Sequence, residues 1–231
     1  MTTDSTWMIK GERLAEYLQA CKEAATTDLF YHFKRDRRLT SIFEHATMEQ
    51  GRAYLSLILR QTPWLLDRTL TNDLYGDPVM FKFGAAHFYS ASTLQYAGVL
   101  SNLLHLFGSL DGLRIVEIGG GYGGQARTIL DLYVPACYHI IDLPEVCELQ
   151  GRYLQGTIAQ VHSYLLSQEY DICISNYALS EIKNNEGYMR DVLARSKHGY
   201  ITCNTSFVKL PWPHRKLPDI TGEENNFILV W

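Results

Sequence analysis

The sequence lacks the features that would place the protein in a membrane or an oxidising compartment. No apolar stretch approaches the ~20 residues of a membrane span, and the N-terminal segment has no apolar core of a signal peptide. The five cysteines are scattered and form no CxxC pair. This usage predicts a reduced, cytoplasmic protein without a membrane span.

A surplus of basic residues is also missing. The 21 Lys and Arg residues face 25 Asp and Glu residues, which gives a net charge of −4. A dedicated nucleic-acid partner is therefore not expected, because binding to phosphates requires clustered cations. The one basic cluster, Lys34 to Arg38, is interrupted by Asp36 and is interpreted as a solvated surface.

The chain divides near Ser109 into two differently patterned regions. In residues 1–108, apolar residues recur at helical spacing in three long segments, which predicts a helical N-terminal region. The aromatic segment "PVMFKFGAAHFYS", from Pro78 to Ser90, has little periodicity and is interpreted as a loop that forms a lid or a wall of the acceptor site. Ser90 or Ser92 is expected to cap the helix that follows.

Residues 109–231 show short apolar strands alternating with helical segments. Nearly continuous apolar strands in such an order predict an α/β fold with a doubly wound, mostly parallel, Rossmann-like sheet. The predicted strands are Leu113 to Ile118, Tyr138 to Asp142, Ile158 to His162, Asp171 to Asn176, Gly199 to Asn204 and Phe227 to Trp231. The predicted helices are Gly124 to Tyr133, Pro144 to Leu154 and Asn185 to Arg195. Ligands of such sheets bind at the carboxyl ends of the strands.

The stretch "IVEIGGGYGGQA" carries five glycines directly after the first predicted strand. Its spacing fits GxGxxG, which suits a dinucleotide pyrophosphate, and also ExGxGxG beginning at Glu117. A carboxylate at the strand end repels a pyrophosphate and attracts a sulfonium or an ammonium group. Asp142 ends the next strand, where a carboxylate can accept hydrogen bonds from two ribose hydroxyls. The charge of Glu117 therefore favours a cationic nucleoside.

These motifs resemble class I S-adenosylmethionine (SAM)-dependent methyltransferases. The segments "IVEIGGGYGGQ", "IIDLPEV", "SNYALSE" and "EENNFILVW" resemble in particular the bacterial sugar O-methyltransferases. The resemblance implies a SAM-binding core over residues 109–231, with S-adenosylhomocysteine (SAH) as the product. It also implies that "KLPDI" and "NFILVW" form the antiparallel pair that ends such a sheet. The residues expected at this cofactor are Glu117, Gly119, Gly120, Gly121, Tyr122, Gly123, Gln125, Asp142, Leu143, His162, Ser163 and Asn176.

The same resemblance implies transfer of a methyl group to a hydroxyl of a sugar or glycan. Such a reaction is an in-line displacement that needs orientation and a proton acceptor. Glu181 is the first choice of base and His87 the second; Ser180 stands where plant O-methyltransferases have a histidine. Further substrate contacts are expected from Lys82, Tyr89, Tyr177, Ser180 and His214.

Other interpretations of the sequence remain open. A nicotinamide-dependent oxidoreductase would share the GxGxxG spacing, although no Tyr-x-x-x-Lys pair is obvious. A methyltransferase-like protein without turnover would bind a partner through its helical region. No residue cluster has the spacing of a metal site, so no metal ligands are predicted. Assistance of methyl transfer by a divalent cation remains an alternative. The oligomeric state is not determined by the sequence.

Overall fold

The computed structural model describes residues 11–68, 70–84, 87–182, 185–204 and 208–231. Residues 1–10 of the expected helical region and residues 85 and 86 of the aromatic segment lie outside this description. The described chain forms one large mixed sheet flanked by helices, a small hairpin and a helical N-terminal region. The predicted fold class is confirmed.

Four helices make up most of the N-terminal region. They are α1 (Glu12–Thr26), α2 (Arg37–Phe43), α3 (Met48–Gln61) and α4 (Ala91–Phe107), with short 3-10 turns between them. Thr47 and Gln50 form a reciprocal capping box at the start of α3, which stabilises the first turn by pairing free amide groups. Ser90 caps α4 by accepting a hydrogen bond from the amide of Thr93 at 3.1 Å, as its position in the sequence suggested.

The aromatic segment folds as a hairpin rather than as an irregular loop. Its role as a lid stays a prediction. Strands β1 (Phe81–Phe83) and β2 (His87–Tyr89) pair antiparallel. Phe83 and Tyr89 are buried, and the Phe83 ring occupies the space beside Gly51 of α3 where a side chain would stand. The hairpin is therefore anchored to the outside of the helical region.

The large sheet has seven strands in the order β5-β4-β3-β6-β7-β9-β8. The first five in this order are parallel, while β9 runs antiparallel to both β7 and β8. The strands are β3 (Arg114–Ile118), β4 (Cys137–Ile141), β5 (Ala159–His162), β6 (Tyr170–Asn176), β7 (Ser196–Cys203), β8 (Arg215–Pro218) and β9 (Phe227–Val230). Because the chain reverses its direction of winding at β3, a crevice opens between the ends of β3 and β6.

Four helices belong to the described part of this second region. They are α5 (Gly124–Leu130), α6 (Pro144–Tyr153), α7 (Ala178–Glu181) and α8 (Glu186–Asp191). The helix expected from Asn185 to Arg195 is shorter than predicted. It extends from Glu186 to Asp191, and a 3-10 turn, Leu193–Arg195, follows it. The sheet ends in the expected antiparallel pair, β8 with β9.

The apolar core continues across the boundary at Ser109. One cluster of buried side chains includes Leu39 and Ile58 of the helical region together with Ile115 and Tyr138 of the sheet. A second cluster covers the opposite face of the sheet, around Val116, Cys173 and Ile201. The helical region therefore covers one face of the sheet and shares its core.

Lys34 corrects the interpretation of the basic cluster as a solvated surface. Its side chain is only 1% exposed, and its ammonium donates to the backbone oxygen of Asn72 at 2.6 Å. The same ammonium lies 4.6 Å from the centre of the Tyr122 ring, a cation–π contact. Burial lowers the pKa of Lys34 to about 8.

Trp231 packs against the sheet beside the last antiparallel pair. Its ring fills the space at Gly199 of β7, where a Cβ atom would lie 2.0 Å from the indole. The indole nitrogen donates to the oxygen of Ser196 at 3.2 Å, and the ring meets Trp212 edge-on at 5.5 Å. These contacts lie at the end of the β8–β9 pair where Arg215 faces Val230.

Candidate functional site

A cavity of about 360 Å³ opens at the carboxyl ends of β3, β4 and β6. It lies at the crevice that the reversal of winding creates, where doubly wound sheets bind their ligands, and its volume is in the range of small-molecule sites. Its walls come from the glycine loop after β3, the turns after β4 and β6, the helical region and the segment between β8 and β9. The predicted residues that line it are Glu117, Gly119, Gly120, Gly121, Asp142, Leu143, Asn176, Tyr177 and Glu181.

The glycine loop is closely packed by neighbouring protein elements. A Cβ atom at Gly119 would lie 2.0 Å from the Cβ of Ala178 in α7, and one at Gly120 would lie 2.7 Å from Ile140. Gly119 also has a φ of 71°, which favours glycine. The sequence interpretation explained these glycines by a ligand that approaches the backbone, whereas the structure fills several of these positions with protein side chains.

Glu117 lies at the floor of the cavity and is 1% exposed. Its Oε2 accepts a hydrogen bond from the hydroxyl of Tyr138 at 2.8 Å. Burial raises the pKa of Glu117 to about 7; the bond from Tyr138 opposes this shift and the charge of Asp142 adds to it. A carboxylate of this kind gains stability when a cation is placed beside it, since a nearby opposite charge favours the ionised form.

Asp142 lies at the end of the neighbouring strand and is held by a buried amide side chain. Gln150 of α6 donates from Nε2 to Oδ2 of Asp142 at 2.9 Å and to the oxygen of Gly121 at 2.7 Å. Asp142 Oδ1 accepts from the amide of Leu143 at 2.8 Å. Burial raises the pKa of Asp142 to about 7 despite these bonds. Gln150 thereby ties the glycine loop to the acid, a link that the sequence interpretation missed.

Glu181 and Tyr177 line the cavity on the side of β6. Glu181 accepts a hydrogen bond from Nδ2 of Asn204 at 3.5 Å. Burial raises the pKa of Glu181, while Asn204 and the nearby His45 lower it. Tyr177 has a φ of 66°, a conformation that is uncommon for non-glycine residues and concentrates at functional sites.

Most of the remaining lining comes from residues that the sequence interpretation did not identify. The helical region contributes apolar, amide and imidazole side chains, and the C-terminal part contributes amides and a carboxylate. These residues are Leu14, Tyr17, Ser41, Ile42, Phe43, His45, Gln50, Gln95, Tyr96, Ala178, Asn204, Glu223 and Asn226. The short polar segment after α2, which contains His45, was the one signal in the sequence, since loop residues often carry function.

Several residues expected at the cofactor do not line the cavity. Tyr122 is fully buried in an aromatic cluster with Phe33, Phe43 and Tyr153, so its side chain supports the loop from behind. Gly123 packs against Leu154. Three more of the expected residues also lie outside the lining. Gln125 accepts a hydrogen bond from Nδ2 of Asn176 at 3.4 Å, and the His162 ring meets the His139 ring edge-on. Ser163 is exposed.

The expected base His87 and most of the expected substrate residues also lie outside the lining. Lys82 and His87 are exposed on the β1–β2 hairpin, where Tyr89 is buried and donates to the oxygen of Leu66. Ser180 is buried and donates to Asn204 Oδ1 at 2.8 Å. His214 is exposed, with Nδ1 bonded to the oxygen of Trp212. The hairpin is anchored outside the helical region, which explains why its polar residues do not reach the cavity.

The charges around the cavity share one sign. Glu117, Asp142, Glu181 and Glu223 are all part of the lining, whereas no Lys or Arg is found among the described lining residues. In the part of the chain that the structure describes, no group of three or more His, Cys, Asp or Glu residues is placed to hold a metal ion. The cavity therefore favours uncharged or cationic ligands.

Comparison with solved structures finds similarity to methyltransferases. A SAM-dependent methyltransferase from Mesorhizobium loti is 19% identical over 45% of this chain and 52% of its own, with a TM-score of 0.39. Coclaurine N-methyltransferase, bound to N-methylheliamine and SAH, is 13% identical over 85% of this chain and 54% of its own, with a TM-score of 0.42. This chain thus matches about half the length of each of these two proteins.

Magnesium protoporphyrin IX methyltransferase from Synechocystis PCC 6803, with bound SAM, is also similar. It is 12% identical over 80% of this chain and 97% of its own, with a TM-score of 0.46. No model of a known protein family and no curated protein matches this chain. These similarities assign neither an acceptor nor a reaction to it.

Among the described residues, no helix has both the length and the apolar character that a membrane crossing requires.

Proposed function

We propose that this chain is a SAM-dependent O-methyltransferase that acts on a hydroxyl of a sugar or glycan. The observation that supports this proposal best is the shared cavity in which two acids, at the ends of β3 and β4, lie with the carboxylate of Glu181. The cavity joins a candidate donor site to a candidate acceptor site. Methyl transfer needs both sites in one enclosure, because the reacting groups must be held in line.

The donor end fits an amino-acid nucleoside with positive charge. Glu117 and Asp142 would hold it, because each carboxylate is raised in pKa by burial and is stabilised by a cation. When bound, SAM supplies a methyl group on a sulfonium. The absence of Lys and Arg from the described lining argues against a doubly charged pyrophosphate at this place.

The acceptor end fits a hydroxyl-rich molecule. The amides of Gln50, Gln95, Asn204 and Asn226 line this end. Three of them already donate one hydrogen to Glu223 or Glu181, and the second hydrogen of each amide nitrogen remains for a hydroxyl group. Tyr96 and Tyr177 are partly exposed aromatic side chains of the lining, and such rings suit the apolar face of a sugar. The surrounding carboxylates favour an uncharged sugar over one that carries phosphate, and they oppose a nucleic-acid partner.

Glu181 places a negative charge where the acceptor hydroxyl must lose its proton. It acts there either as the base itself or as a charged neighbour of the base. The N-terminal region, residues 1–108, completes the acceptor site, and residues 109–231 carry the donor site.

The five cysteines are free, and Cys21, Cys173 and Cys203 are buried, which supports a reducing, cytoplasmic location.

Calorimetry with SAM, SAH and NAD tests the donor site. We expect SAM and SAH to bind and NAD not to bind. Asp142→Asn should weaken the binding of SAM and SAH by about tenfold, because it removes one good hydrogen bond to a charged group. The control variant Glu148→Gln, on the exposed side of α6, should leave their binding unchanged. Binding of NAD alone would replace the proposal with an oxidoreductase, and binding of none of the three would favour a protein without turnover.

Transfer of radiolabelled methyl groups from SAM to a panel of sugars and glycans tests the acceptor. We expect label on neutral sugars and little label on sugar phosphates. Label on a phenol, an amine or a protein, with none on carbohydrate, would contradict the sugar assignment and leave the donor site intact.

A further inference from the structure

We propose that His45 receives the proton of the acceptor hydroxyl, with Glu181 balancing its charge. This inference rests on the proposed function and changes the identity of the base within it. His45 lines the cavity from the segment that joins α2 to α3. It contacts Tyr177 edge-on, with ring centres 6.3 Å apart, and it is close enough to Glu181 to lower the pKa of that carboxyl group.

The hydrogen bond of His45 determines which ring nitrogen is available. Nδ1 lies 3.0 Å from the backbone oxygen of Ile42. A carbonyl oxygen only accepts, so Nδ1 carries the hydrogen in the neutral ring and Nε2 keeps its lone pair. The described residues give Nε2 no hydrogen-bond partner. His45 therefore presents a proton acceptor of fixed tautomer.

The chain just before His45 is anchored on the glycine loop. Phe43 is buried against Tyr17 and Tyr122 and lies 3.3 Å from where a Cβ atom of Gly121 would stand. Glu44 accepts a hydrogen bond from the Tyr122 hydroxyl at 2.9 Å. Tyr122 thus has a structural role, since its hydroxyl holds the residue that precedes His45. The position of His45 is coupled to the loop that forms the donor site.

His45 is better suited to accept the proton than Glu181. The free lone pair on Nε2 can take the proton directly, and histidine is the side chain that most often acts as a general base. Glu181 is partly buried and already accepts a bond from Asn204. A carboxylate in this place stabilises the imidazolium that forms, as a neighbouring negative charge does.

The proposed step moves one methyl group and one proton. The hydroxyl oxygen forms a bond to the methyl carbon while its proton passes to Nε2 of His45. The carbon–sulfur bond breaks with its electron pair on sulfur, which leaves a neutral thioether. The protein gains one proton, which His45 then releases to water.

Two measurements test the role of His45. The first is NMR of protein labelled with ¹⁵N-histidine in the presence of SAH, with the His45 signals assigned by their loss in His45→Gln. We expect the neutral ring to carry its hydrogen on Nδ1. A hydrogen on Nε2 would overturn the proposal, and this readout needs no acceptor.

The second measurement compares methyl transfer among variants. We expect His45→Gln to lower kcat by roughly 10²–10⁴-fold, the usual contribution of a general base, with SAM affinity unchanged. Added imidazole should restore part of the activity of His45→Ala and none of that of Glu181→Gln. The matched control is His105→Gln, at an exposed position of α4 outside the cavity lining.

An unchanged kcat in His45→Gln, or equal losses of kcat and SAM affinity, would contradict the role of His45. A wild-type protein that binds SAM and methylates no sugar would instead contradict the proposed acceptor, while the tautomer measurement would still decide the state of His45. Failure to bind SAM would contradict the donor site itself.

Discussion

The raised pKa of Glu117 makes the stability of the unliganded protein depend on pH. The folded state holds a proton on this carboxyl group up to about pH 7, whereas the unfolded chain releases it near pH 4.3. The contribution to stability is fully present below the unfolded pKa and is lost as the pH rises through the folded pKa. Each unit of difference corresponds to ~1.4 kcal/mol.

We therefore expect Glu117→Gln to gain stability relative to the wild type as the pH rises from 5 to 8. Gln cannot ionise, so the variant avoids burying a charge at high pH. Thermal unfolding of both proteins without ligand at the two pH values measures the difference. Asp142 titrates in the same direction in both proteins, and its repulsion with Glu117 is removed in the variant, which adds to the expected gain. A difference that does not change with pH would show that Glu117 titrates normally.

Gly119 is the residue of the glycine loop at which a side chain is tolerated least. It combines a φ of 71° with an approach of 2.0 Å to the Cβ of Ala178. We expect Gly119→Ala to lose more stability than Gly156→Ala, which shares a positive φ but has open space around its Cβ position. Backbone strain costs about 1–2 kcal/mol in either variant. Denaturant unfolding gives the comparison, and equal losses would mean that α7 moves aside without cost.

The sequence predicted the two acids and the loop because strand ends and glycine spacing are local properties. It missed His45, Gln50 and Tyr96, since their meeting with Glu181 depends on how the helical region packs on the sheet. It also assigned Tyr122 to the cofactor side, because the direction of a side chain in a tight loop is not set by spacing. Local patterns therefore identified the donor end better than the acceptor end.

At the scale of elements, helices and strands with clear periodicity were predicted well. Helices α3 and α4 follow the apolar spacing of their segments, and the last antiparallel pair appears where expected. The segment from Phe81 to Tyr89 was interpreted as a loop, because its strands are only three residues long and aromatic side chains obscure the alternation. Packing of Phe83 and Tyr89 decides its structure.

The position of the hairpin leads to a prediction about transfer. We expect Lys82→Ala and His87→Ala, alone or together, to leave the transfer rate unchanged, because neither residue lines the cavity. Glu181→Gln is the contrasting variant and should lower the rate by about tenfold or more, because a nearby opposite charge changes the proton affinity of its partner by roughly 1–3 pK units. Steady-state kinetics with an identified acceptor decides. A large loss in the hairpin variants would mean that the hairpin closes over the acceptor.

At the scale of the whole molecule, the shared core makes the two regions interdependent. Arg152 of α6 donates to the oxygens of Ala24 and Thr27 at the end of α1, at 3.1 and 2.6 Å, and lies over the ring of Phe30. The division at Ser109 stays a prediction about roles, because the apolar side chains on both sides form one cluster. Composition indicated a large core, but only packing shows that it is common to both regions.

We expect the protein to unfold in one cooperative transition. Circular dichroism in the far ultraviolet, which reports the helices, and hydrogen exchange of the sheet amides should give the same midpoint in urea, as two-state behaviour requires. A fragment of residues 109–231 should remain unfolded, since it exposes the face of the large sheet that α1 to α4 cover. Two transitions, or a folded piece, would show that the regions are independent.

The packing of Trp231 gives the molecule an intrinsic optical reporter. Trp212 and Trp231 lie together beside the β8–β9 pair, and the residues between those strands carry Glu223 and Asn226 into the cavity wall. The two indoles stand at the end of this pair where Arg215 faces Val230, whereas the connecting residues leave from the opposite end, where Pro218 faces Phe227. Tryptophan emission therefore reports whether this edge of the sheet is intact: it should change when urea separates the two rings, and not when a ligand fills the cavity.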